Sequence, residues 1–177
     1  LAAEDHLRWR SLVLSMYSRD AFDEMVWTDR ALTRPQVELL AARTSSLNEC
    51  FYRTSAHVTL LGASSAATDD EVLLAAAVEG GDAGVGHGAE LAAFAEASWR
   101  RDETLAIARE ALRNGVGDDG VTEAALTVAI FRSLNLAADA SGIPLDESFA
   151  SQTRGFAGAL GIDQFSTAKN SPGFSRS

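Results

Sequence analysis

The sequence is poor in cysteine, in basic residues, in long apolar runs and in strand-like alternation, and each shortage removes a class of protein. One cysteine in 177 residues, Cys50, rules out an intrachain disulfide and any cysteine-rich metal site, and suits a reducing compartment. Fifteen lysines and arginines, dispersed along the chain, stand against 25 acidic residues for a net charge of -10. Clustered basic side chains are what neutralise phosphates, so nucleic acid is not an expected partner. No apolar run approaches the roughly 20 residues that span a bilayer, and Leu1 opens an acidic amphipathic stretch rather than a signal peptide's basic and apolar regions. The expectation is a cytoplasmic protein with no membrane partner. His6, His57 and His87 lie in unrelated segments without carboxylates at ligand spacing, which argues against a metal site. The glycine-rich stretch 80–86 follows no strand and ends in no Gly-Lys-Ser/Thr, so it reads as a loop and no cofactor is expected.

What is present is helical pattern. Hydrophobic residues make up 46% of the chain, enough for one domain with a real core, and alanine and leucine recur at helical spacing almost throughout. The expected fold is all-α, a bundle of helical hairpins in a single domain over residues 1–150. Helices are predicted over residues 4–17 and over 21–31, the latter capped by Asp20. Thr33 with Gln36 makes a capping box and Pro35 lies in the first turn, predicting helix over 35–47. After a break near Asn48, residues 49–61 should form the next helix, ending at Gly62. Thr68 with Glu71 is a second capping box, for a helix stopping at Gly80-Gly81. Helices over 89–99 and 103–114 are divided by Arg100-Arg101-Asp102, with Gly115 ending the second. A last helix covers 121–138 and closes at Ser141-Gly142. From 151 to 177, glycine, serine and isolated aromatics predict an irregular tail. Phe149, Phe156, Phe165 and Phe174 read as anchors, on a partner or on the chain's own body.

The residues that can carry chemistry are Glu38, Cys50, Arg53 and His57. Seven residues are nearly two helical turns, so Cys50 and His57 share a face with Arg53 between them. The rise of about 10 Å keeps His57 from touching the sulfur directly. Glu38 lies about as far before the break at residues 47–48 as Arg53 or His57 lies after it, so its carboxylate should face them across the hairpin. Cys50 in a first helical turn, one turn from Arg53, predicts a lowered thiol pKa. The blander readings stand beside this: a lone cysteine as a small buried hydrophobe, a packing histidine and a structural Glu38–Arg53 ion pair.

The string Pro35-Gln36-Val37-Glu38-Leu39-Leu40, followed by Ser45-Ser46-Leu47-Asn48-Glu49-Cys50-Phe51-Tyr52-Arg53-Thr54-Ser55-Ala56-His57, resembles the AhpD-like alkylhydroperoxidase and carboxymuconolactone decarboxylase family. The family pattern is Glu, eleven residues, Cys-x-x-Cys, three residues, His. The likeness extends over roughly residues 35–146, through Leu91 to Trp99 and Asn135 to Asp146, similar there to the peroxidase-related branch. It implies an AhpD-like helical bundle, a homo-oligomer (dimer, trimer or hexamer), a cofactor-free site and a small-molecule substrate. In the family the second cysteine is oxidised by hydroperoxide, the first resolves it as a disulfide, and glutamate and histidine relay the proton. Glu38, Cys50 and His57 match three of these positions. Arg53 stands where the peroxide-attacking cysteine would be, and a guanidinium forms no sulfenic acid.

Three functions are therefore open. One is a one-cysteine, hydroperoxide-reducing oxidoreductase acting through Cys50 with an external thiol reductant. Another is a non-redox decarboxylase or isomerase in which Arg53 binds a small carboxylate while Glu38 and His57 move protons. The third is a catalytically degenerate relative in which Glu38, Arg53 and His57 form a buried ionic network.

Overall fold

The computed structural model describes residues 7–8, 11–18, 27–65, 70–81 and 83–174. Among them every regular element is helical. A π-helical turn at Leu14–Ser18 precedes α1 (Arg34–Leu47), α2 (Phe51–Ser64), α3 (Asp70–Glu79), α4 (Gly88–Arg100), α5 (Thr104–Ser141) and α6 (Glu147–Phe156), and 3-10 turns follow at Ile162–Gln164 and Ala168–Asn170. The all-α class expected from periodicity is the class observed.

The centre of the molecule is α1. Its residues from Gln36 to Ser46 are all buried, the signature of a helix covered on every side rather than on one face, and α2, α3, α4 and α5 all pack against it. Ala41, Ala42, Ser45 and Ser46 are small enough to let those neighbours approach. The start of α1 is the one its sequence encodes: the Thr33 amide donates to Gln36 Oε1 at 2.8 Å. Gln36 Nε2 in turn donates to the Gly86 carbonyl at 2.7 Å, tying the 80–86 loop to the cap. At the other end Asn48 Nδ2 closes on the Thr44 carbonyl at 2.8 Å, and Glu49 turns the chain with φ 53°. Helix α2 folds back on α1 and so brings residues 53–57 towards Glu38.

Several expectations are corrected. Helix α2 runs through Gly62 to Ser64, and Cys50 is its N-cap rather than a residue of its first turn. The helices expected over 103–114 and 121–138 form one element, α5, kinked at Gly117 (φ 73°, ψ 179°) instead of ending at Gly115. Gly115 serves a close approach: a Cβ there would lie 2.6 Å from the His87 ring. Residues 27–31 of the second predicted helix are not helical, while 21–26, residues 1–6 and Thr68 lie outside the described residues. By length and composition α5 is apolar enough to cross a membrane, contrary to the expectation of no such run, and half of its most apolar stretch is buried inside the protein.

The tail from 151 is less irregular than expected. Residues 151–156 complete α6, and the rest turns back onto the body. Phe174 packs on Phe51 with ring centres 4.9 Å apart, and Phe149, Phe156 and Phe165 lie against the core. Thr167 Oγ1 accepts from the Phe51 amide at 2.9 Å and donates to the Glu49 carbonyl at 3.0 Å. The aromatics thus anchor the chain to itself, over the junction between α1 and α2.

Candidate functional site

A fully buried carboxylate organises the interior. Glu38 has no exposed surface, and such a group is tolerated only where donors surround it. Tyr17, delivered by the π-helical turn, donates its hydroxyl to Oε1 at 2.7 Å. His57 Nδ1 meets Oε2 at 2.8 Å. Arg34, one turn before Glu38 on α1, holds its Nε 3.7 Å from Oε1, close enough for attraction and too far for a hydrogen bond. Burial, and after it the charge and hydrogen bond of Glu38, raise the Tyr17 pKa well above the usual phenol value, so Tyr17 remains a donor. With both carboxylate oxygens accepting, the imidazole donates from Nδ1, and Nε2 is the nitrogen that Glu38 does not hold. Phe131 fixes the rings edge-on, 4.4 Å from His57 and 5.1 Å from Tyr17.

The sequence pointed to Glu38 and His57 and missed Tyr17, which lies 21 residues before Glu38. Removing its hydroxyl as Tyr17→Phe leaves Glu38 Oε1 one donor short at unchanged shape. The expected loss is about 1–2 kcal/mol of unfolding free energy, read from urea denaturation. A change within about 0.5 kcal/mol, the range of ordinary surface substitutions, would mean that the hydroxyl does not hold the carboxylate.

His57 faces a cavity of about 390 Å³ whose wall also holds Tyr17, Arg34, Tyr52 and Arg53, with Phe131 and Phe149 among its apolar members. His57 Nε2 and Arg53 Nε are buried there and have no hydrogen-bond partner among the described residues. Arg53 does not pair with Glu38, against the blander reading of a structural ion pair between them. Its guanidinium carbon lies 5.1 Å from the Tyr52 ring centre, and Arg34 takes the place beside Glu38. Tyr52 donates to Asp146 Oδ2 at 2.6 Å, and burial together with that bond pushes its hydroxyl up to about 12.

Cys50 is not part of this cavity wall. Its side chain is completely buried, and burial first, then hydrogen bonding to Asp139, pushes its pKa up from 9.0 to about 12. The amide of Arg53 works in the opposite direction, as a helix N-terminus should, and is outweighed. The lowered thiol pKa expected from sequence is therefore reversed. Desolvation is the largest contribution, and the start of α2 is itself covered, with Thr167 on the Phe51 amide.

A larger cleft, of about 540 Å³, opens beside Arg30 and Glu123. Two of its charges are committed within the fold: Arg30 bonds Glu123 and the Tyr17 carbonyl, and Glu123 Oε2 accepts from the amides of Ala31 and Leu32 at 3.0 and 3.1 Å. That junction secures the chain leading into α1. Among the described residues, no three of His, Cys, Asp and Glu gather as metal ligands would. Comparison of the chain with family models, curated proteins and solved structures gives no match. The fold and site define its class in chemical terms: an all-α protein in which a buried Tyr–Glu–His chain adjoins an arginine-bearing cavity that His57 helps to line.

Proposed function

We propose that the protein is a non-redox enzyme that moves a proton on a small carboxylate substrate. His57 carries the proton, Glu38 orients the imidazole and balances its charge, and Arg53 receives the carboxylate. The observation that carries this reading is His57 Nε2, buried in a cavity wall without a partner while Nδ1 is held by Glu38 at 2.8 Å. A base oriented through its second nitrogen is the arrangement general acid–base catalysis uses. In the step, Nε2 takes a proton from carbon next to a carbonyl, the electron pair moves into the enolate, and the same nitrogen returns the proton to that or the adjacent carbon.

The contact between Glu38 and His57 supports an AhpD-like kinship, with the family's decarboxylase side nearer than its peroxidase side. A one-cysteine peroxidase finds no support in a sulfur that is fully buried, held protonated and outside the cavity. A degenerate ionic network among Glu38, Arg53 and His57 lacks one member, because Arg53 is not bonded to the other two.

Solvent exchange provides the test. A panel of small 2-oxo, 3-oxo and unsaturated acids is incubated with the protein in deuterium oxide and followed by proton NMR. At least one acid is expected to exchange, with Cys50→Ser as active as the parent and Arg53→Ala slower by about a hundredfold, the scale of a lost charge-assisted contact. Loss of exchange in Cys50→Ser with retention in Arg53→Ala would reverse the assignment.

A further inference from the structure

We infer that this cavity selects a compact aromatic carboxylic acid, an arylalkanoate, held at its anionic end by two arginines, Arg34 as well as Arg53. The inference rests on reading the cavity as a substrate site. Among the described residues four buried side-chain nitrogens lack a hydrogen-bond partner, and three of them, Arg34 Nε, Arg53 Nε and His57 Nε2, belong to its wall. Buried donors are ordinarily satisfied, so two orphaned guanidinium donors in one wall mark the place of an acceptor that the chain itself does not supply.

The neighbouring carboxylates do not fill that role. Both oxygens of Glu38 are committed, to Tyr17 and His57, and its distance from Arg34 Nε is 3.7 Å. Asp146 accepts from Tyr52 at the exposed edge. A ligand carboxylate meets two cations there, and guanidinium is the side chain best matched to it.

The apolar part of the lining sets the body of the ligand. Leu60, Phe131, Leu134 and Phe149 offer no hydrogen bond, and Phe131 already meets both His57 and Tyr17 edge-on, the geometry aromatic rings prefer. A volume of about 390 Å³ lies near the lower end of ligand cavities, roughly 300–1,000 Å³. It suits one ring and a short acid arm and leaves no room for a long acyl chain.

Calorimetric titration of the full chain with 3-phenylpropanoate, 3-phenylpropan-1-ol and acetate tests the inference. The phenyl acid is expected to bind with Kd below about 1 mM, and the alcohol and acetate at least about tenfold more weakly, since each lacks one of the two recognised parts. Arg34→Gln and Arg53→Gln should each weaken the acid by about tenfold or more with unchanged melting temperature. The alcohol binding as tightly as the acid, or an unchanged Kd in folded Arg34→Gln, overturns the inference, and the first comparison needs no variant. Arginine-dependent binding of the phenyl acid without proton exchange supports the inference and overturns the proton-transfer reading alone. Exchange on another acid with no binding of the phenyl acid overturns the inference alone.

Discussion

Glutamine in place of Glu38 is expected to slow proton exchange by about 10²–10⁴ while leaving the fold in place, and leucine there is expected to cost about 3–5 kcal/mol of stability. The two substitutions separate what the carboxylate does for chemistry from what it does for packing. Glutamine keeps shape and hydrogen-bonding capacity, because its oxygen can accept from His57 Nδ1 while its amide donates to Tyr17. It removes the negative charge that stabilises the imidazolium formed when Nε2 takes a proton, and it permits the flipped amide that would fix the wrong tautomer. Leucine strands the Tyr17 hydroxyl, bonded at 2.7 Å, and the His57 ring, bonded at 2.8 Å, without their carboxylate partner, at roughly 1–3 kcal/mol each. Urea unfolding at neutral pH reads the second effect and the deuterium exchange rate the first. Glu38→Leu unfolding at the parent's urea concentration would show that the Tyr17–Glu38–His57 chain is not a buried network.

How much of this was legible in the sequence follows from how local each cause is. Thr33, Pro35 and Gln36 set the start of α1 by contacts within one turn, and Asn48 closes its end, so the hairpin carrying Glu38 and His57 could be read directly. Their meeting followed from symmetric distances about the turn. Arg34 carried a readable signal, the i,i+4 spacing to Glu38, which the match at position 53 overshadowed. Tyr17 carried none, since its role depends on a π-helical turn that no residue pattern in the segment announces. The kink of α5 falls at Gly117, while Gly115 is left to the close approach of the His87 ring, a contact between distant segments. The placement of the tail is the clearest case of a long-range contact. Thr167, 116 positions beyond Phe51, occupies the amide at the start of α2, and Phe174 covers Phe51. A tail read as irregular thus covers the helix start beside Cys50, whose buried thiol is held protonated.

That electrostatic effect makes stability fall at high pH. The folded thiol holds its proton up to about 12, and the ordinary value is 9.0. Between these values the unfolded chain binds fewer protons than the folded one, so unfolding becomes easier as pH rises. The stabilisation is fully present below pH 9 and lost progressively above it, by about 2 kcal/mol at pH 10.5 and about 4 kcal/mol once both states are ionised. Tyr17, also raised by burial, slopes the same way. Cys50→Ala removes the thiol's share, so the gap between parent and variant in urea denaturation should narrow by about 2 kcal/mol from pH 8 to 10.5. The same protection predicts alkylation. At pH 8 the folded thiol holds about a thousandfold less thiolate than the unfolded one, and iodoacetamide should label Cys50 only where the chain unfolds. Labelling of the native protein at the rate of a free thiol, or a pH-independent gap between parent and Cys50→Ala, would place the sulfur in contact with solvent and return the redox reading to contention.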